Sequence, residues 1–141
     1  MSEQTGLSTS CNSFIRMKIP DPILPEGVSI PLSVAFSGIK NLPLLSLANN
    51  SANPKLLIFE DATETKVLSS SRRPLSEIES IDVTKTLGTF HLTINWKNRW
   101  FDFTAAVEGD ETLRSVVEFF RRKGVTLRDG AQRFIVEPKK D

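Results

Sequence analysis

A chain of 141 residues with 39% hydrophobic, 25% charged and 8% aromatic side chains has the make-up of an ordinary soluble domain. That length can bury a core without a metal or a disulfide, and a net charge of +1 supplies no field to draw nucleic acid or an anionic membrane. Cys11 has no second cysteine to pair with, residues 1–10 carry neither a basic nor an apolar signal region, and the apolar stretch Ile23 to Leu47 is broken by charge and proline. A cytoplasmic protein with no spanning helix is expected.

Composition changes near Pro54. Only Glu3, Arg16, Lys18, Asp21, Glu26 and Lys40 are charged among the first 53 residues, while Pro20, Pro22, Pro25, Pro31, Pro43 and Pro54 crowd the same part of the chain. Proline lacks an amide donor and clashes with the preceding helical turn, so strands and loops are expected there, after a loose tail over 1–12. Phe14 to Ile19 reads as a first strand, ended by Pro20-Asp21-Pro22. Val28, Ile30, Leu32, Val34 and Phe36 recur at every second position, the period of a half-buried strand, with Pro31 demanding an edge or a bulge. Lys40 to Asn53 ends in the loop composition Asn49-Asn50-Ser51-Ala52-Asn53-Pro54, the role of 38–54 is not legible, and Leu42, Leu44, Leu45 and Leu47 still need cover, from the core or from an interface.

From Pro54 the pattern sharpens. Lys55 to Glu60 and Thr65 to Ser69 flank Asp61-Ala62-Thr63-Glu64 as a hairpin, and Ile78, Ile81 and Val83 mark a further strand. Phe90, Leu92, Ile94 and Trp96 alternate with polar residues, turn at Lys97-Asn98-Arg99 and return through Trp100 to Ala105. Asp110 then stands where it can cap a helix over 110–123, a contact worth about 1 kcal/mol. Leu113, Val116, Val117 and Phe120 form its apolar stripe, Arg121-Arg122-Lys123 complement its C-terminal dipole and Gly124 stops it. A short helix over 127–136 is weakened by Gly130.

The order of about seven strands before an amphipathic helix, with Leu57-Ile58-Phe59-Glu60-Asp61, then Arg73 to Val83, then the Phe90 to Phe103 hairpin, resembles the pleckstrin-homology-like (PH-like) superfamily and is closest to small bacterial PH-like domains. The resemblance covers residues 55–123. It implies an α+β, mainly β fold: a split barrel of antiparallel strands, capped by the C-terminal amphipathic helix. The domain would span 13–124, with a short helix and tail over 125–141.

Catalytic chemistry finds little to work with. The one histidine, His91, sits on the polar side of a strand with no identifiable orienting group. Cys11 lies in the tail, one His and one Cys do not make a zinc site, and no phosphate-cradling glycine motif occurs. The carboxylate pairs Glu60-Asp61 and Glu77/Glu79 read as solvated turn residues. No enzyme, metal or cofactor is expected. Lys66, Arg72 and Arg73 form a candidate anion-binding patch, whereas the basic helix end answers its own dipole. The loop Lys18 to Glu26 departs from the basic signature that the resemblance associates with inositol phosphates, having no arginine and two acids.

Trp96 and Trp100 bracket a turn beside Arg99 and are candidate anchors for a protein partner, although Trp96 also continues the inward Phe90/Leu92/Ile94 row. The expected function is therefore a non-catalytic binding module acting through protein–protein contact, with homo-oligomerisation as one route and Leu42, Leu44, Leu45, Trp96 and Trp100 at the interface. Binding of an anionic lipid headgroup or phosphate ligand through Lys66, Arg72 and Arg73 is the alternative, membrane lipid being the weaker partner; nucleic acid is not expected.

Overall fold

The computed structural model describes residues 18–39, 42–50, 53–67, 69–86, 88–99 and 101–136. In chain order these form β1 (Val28–Ser29), β2 (Leu32–Ile39), β3 (Leu42–Asn50), β4 (Lys55–Ile58), β5 (Ala62–Lys66), β6 (Ser70–Pro74), a 3-10 turn (Leu75–Glu77), β7 (Ile78–Thr86), β8 (Thr89–Trp96), β9 (Phe101–Val107), α1 (Asp110–Arg122) and α2 (Asp129–Val136). The fold is mainly β, with two antiparallel sheets and the two helices at the C-terminal side of the sequence. The larger sheet has the order β3-β2-β9-β8-β7 and the smaller β1-β4-β5-β6.

Val28 to Ser37, expected as one strand, is divided at Ile30-Pro31. Proline has no amide to give a ladder, and the chain leaves the small sheet there: Val28 pairs with Ile58, the Ile30 amide donates to the Leu56 carbonyl, and Ala35 pairs with Ala105 in the large sheet. The hairpin after Pro54 turns earlier than its pattern suggests. The Phe59 amide donates to the Ala62 carbonyl, leaving Glu60-Asp61 at the tip and Ala62–Lys66, not 65–69, in the returning strand. Two strands go beyond the sequence pattern. Leu42–Asn50 pairs with β2 although its last residues have loop composition, and Ser70–Pro74 pairs with β5. The tail with Cys11, most of the expected first strand and Trp100 lie outside the described residues; Lys18 and Ile19 have no regular structure.

The expected helical stripe is deeply buried, with Leu113 at 1% exposure and Val116, Val117 and Phe120 at 0%. It joins Leu56 and Ile58 of the small sheet to Ile81, Leu92, Ile94, Trp96 and Phe103 of the large one in a single cluster. Each such side chain contributes on the order of 1.5–3 kcal/mol when fully buried. Phe119 is buried as well. At the C-terminus the Gly124 amide donates to the Arg121 carbonyl and the Val125 amide to Phe120, a Schellman pair that needs the left-handed φ of 84° glycine supplies. At the N-terminus the expectation fails in detail. Asp110 is the first helical residue, Gly109 is the N-cap, and no side chain caps it; Asp110 and Glu111 instead place negative charge in the first turn.

Helix α2 belongs to this body. The Ile81 amide donates to Thr126 and the Arg128 amide to Ile81, so the segment before α2 lies along the outer edge of β7. Asp82 Oδ1 accepts the amides of Val83 and Ala131, supplying α2 with an N-terminal partner from the sheet. Phe134 meets Phe90 edge to face at 4.9 Å, and Arg114 donates to the Phe134 carbonyl at 2.8 Å. Gly130, which weakens the helix by propensity, is what lets it dock: a Cβ there would stand 2.1 Å from the Val83 carbonyl oxygen. Among the described residues no helix is long and apolar enough to cross a membrane.

Gly130→Ala should therefore destabilise the protein, although alanine is the better helix former by about 1 kcal/mol. Overpacking against backbone costs roughly 1–3 kcal/mol, and urea unfolding monitored by circular dichroism should show a net loss. A net gain would mean that α2 is not held at this distance.

Candidate functional site

The sheets part beside β6, opening a cleft of about 540 Å³. Period-two alternation decides what enters it. Thr65, Ser71 and Arg73 come from one face of β5 and β6, where Thr65 pairs with Ser71 and Thr63 with Arg73. Ser37, Trp96, Phe101 and Phe103 come from the facing sheet. Asp102 also borders the cleft, but alternation sends its carboxylate to the other side of the strand from Phe101 and Phe103, where it accepts the Gly38 amide at 3.2 Å.

The three basic residues of the expected anion patch do not converge. Lys66 and Arg72 fall on the face that carries Glu64, which pairs across the ladder with Arg72, while Arg73 turns inward. Arg72 lays its guanidinium over the Phe59 ring at 3.8 Å. Arg73 lies 5.4 Å from the Trp96 ring centre and 6.0 Å from that of Phe101, with Glu77 at 3.5 Å. Trp96 itself is 2% exposed, so it continues the inward row and is core. Leu42, Leu44 and Leu45 are in β3, the outer strand of the large sheet; their side chains, like Trp100, are outside what is described.

His91 is half-buried on the sheet face away from the core, its ring 5.9 Å from Phe36 and its Nδ1 buried without a hydrogen-bond partner among the described residues. On the same face the hydroxyls of Thr93 and Thr104 meet at 3.1 Å, and Asn95 donates to Ser80 at 3.2 Å. Among the described residues no group of three or more His, Cys, Asp or Glu side chains could hold a metal ion. A larger cavity of about 840 Å³ lies between α2 and β7, where Asp82 is already committed to two amides.

Glu60 turns out to be a fastening point rather than a plain solvated turn residue. Its Oε1 accepts the Ile23 amide at 2.7 Å and its Oε2 accepts from Lys123, just beyond α1. The segment before β1 is held a second time where the Ile19 amide donates to Ser115 Oγ at 2.8 Å. Through one carboxylate the hairpin tip, the leading segment and the helix end are tied together. The Lys123 hydrogen bond, then the Ile23 amide, hold the Glu60 carboxyl below its ordinary value of 4.5.

Neither the cleft hydroxyls nor the Glu60 tie was singled out by the sequence. Ser69-Ser70-Ser71-Arg72-Arg73 has no apolar period, and what brings it to the cleft is pairing with β5. Neither a comparison with protein-family models nor one with curated proteins yields a match for this chain.

Because the folded value is lowered, the stability that Glu60 contributes is present above the unfolded value near 4.5 and is lost as pH falls through the folded value. Protection of the Ile19 and Ile23 amides, measured relative to their intrinsic exchange, should fall on acidification below the ordinary carboxyl value of 4.5, and Glu60→Gln should show the reduced protection already at neutral pH. Exchange in the variant matching that of the native chain at neutral pH would contradict the tie.

Proposed function

We propose that the protein is a non-catalytic module of PH-like split-barrel type that acts through protein–protein contact, pairing with a second copy of itself along β3. The architectural part draws support from the order of elements: a chain that changes sheets at Pro31, a large sheet re-entered after the turn Leu75–Glu77, and a helix whose stripe fills the space between the sheets. The two sheets share no ladder among the described residues, and a split barrel would require none.

The observation that carries the functional part is the state of the sheet edges. Of the four outer strands among the described residues, β7 is covered by the segment around Leu127, β1 is two residues long, and β6 carries Arg72, Arg73 and Pro74, the residue types that discourage further pairing. β3 is different. It runs for nine residues, Leu-Pro-Leu-Leu-Ser-Leu-Ala-Asn-Asn, without one charge. Its Ala48 to Asn50 pair regularly with β2, whereas Leu42 to Ser46 are gathered opposite Gly38 and Ile39 in an irregular stretch. A bulged end next to a regular end leaves a strand edge open to backbone pairing. An antiparallel edge is self-complementary under a two-fold axis, which makes another copy the simplest partner.

Anion binding by Lys66, Arg72 and Arg73 as one patch has less support, since their side chains leave β5 and β6 on opposite faces. Light scattering coupled to size exclusion tests the preferred reading. The native chain should run as a dimer at micromolar concentration, and Leu44→Lys or Leu45→Lys should shift it to monomer while leaving the circular dichroism spectrum unchanged. A native chain that stays monomeric across the accessible concentration range would overturn it.

A further inference from the structure

The cleft holds a cation that the described residues leave poorly satisfied. The Arg73 side chain is only 18% exposed, yet a guanidinium carries five N–H donors in a planar fork. Among the described residues its one anionic partner is Glu77, at 3.5 Å, beyond the usual range for a charge-assisted hydrogen bond. The rings of Trp96 and Phe101 beside it offer π faces but no acceptor oxygen. Removing a charge from water without filling its hydrogen bonds is costly. The unmet need points to an acceptor from outside the chain.

The surroundings of Arg73 suit such an acceptor. The hydroxyls of Thr65 and Ser71 come from the same face as Arg73, and that of Ser37 from the sheet opposite. Each can donate one hydrogen bond. Phe101 and Val67 give the same space an apolar wall. A volume of about 540 Å³ lies within the range of small-molecule sites.

We propose that this cleft binds the oxyanion of a small soluble ligand, an organic phosphate or carboxylate, with Arg73 as a two-pronged anchor and Thr65, Ser71 and Ser37 as hydroxyl donors. Glu77 holds the guanidinium loosely in place and gives way when the anion arrives. Phe101 and Val67 receive the carbon portion of the ligand. The site does not depend on pairing along β3, and it differs from a surface patch in using Arg73 without Arg72 or Lys66.

The test is a titration of the full chain with inorganic phosphate, glycerol 3-phosphate and acetate at constant ionic strength, following the arginine Nε–Hε signals by nuclear magnetic resonance. One arginine signal should shift saturably and be absent in Arg73→Lys. Affinity should fall by about tenfold or more in Arg73→Met, because the two-pronged contact is lost. Removing the competing carboxylate with Glu77→Gln should tighten binding by about two- to fivefold, whereas Arg72→Ala should leave it unchanged. No saturable response to any of the three anions, a response that survives Arg73→Met, or weaker binding in Glu77→Gln would overturn the proposal. Binding seen solely with phosphatidic acid vesicles would overturn it too, since the ligand would then not be a small soluble one. Should Arg73→Met fail to fold, the proposal requires tighter binding in Glu77→Gln together with weaker binding in Ser71→Ala.

Discussion

The structure rests on one wedge. Two sheets that share no ladder among the described residues lack the strand pairing that would fix their separation, so apolar contact takes that part. That contact is organised around α1, whose Leu113, Val116, Val117 and Phe120 are buried together with residues of both sheets. Backbone pairing fixes order within each sheet, and the helical stripe holds the two together. The Schellman ending at Gly124 and the Lys123–Glu60 contact then set where the helix stops and which hairpin it touches.

The same wedge explains why a cleft can exist. A helix that spreads two sheets at one region and leaves them uncovered at another creates a concave space whose walls are inward-facing strand residues. Near α1 those residues are Leu56, Ile58 and Ile94; beside β6 they become Thr65, Ser71 and Arg73. The change from apolar to polar along the inward face marks the limit of the core. Arg73 lies at that limit, on Trp96 on one side and within reach of small hydroxyls on the other.

Much of this was legible in the sequence where one face of an element repeats. The α1 stripe, the β8–β9 hairpin and the inward course of Trp96 follow from periods of 3.6 and 2. The strand at Ser70–Pro74 was hidden because serine, arginine and proline have low strand propensity, and its pairing with β5 overrides that weakness. β3 was hidden by Pro43 and by a leucine pattern that fits neither period, consistent with its irregular register against β2. Asp110 looked like a cap because its residue type favours one, whereas Gly109 took the position. The split of Arg72 from Arg73 needed only the knowledge that both are in a strand. The Glu60 tie, joining residues 37 and 63 positions away, has no local signature at all.

Native-state hydrogen exchange on Phe120→Ala addresses the wedge most directly. Phe120 is fully buried, and emptying its site should cost roughly 3–5 kcal/mol. If α1 couples the sheets, the most protected amides of β4 and β5 and those of β8 and β9 should lose protection together and by the same amount. Loss confined to one sheet, with the other retaining its native protection, would show that the sheets stand independently and that the helix does not join them.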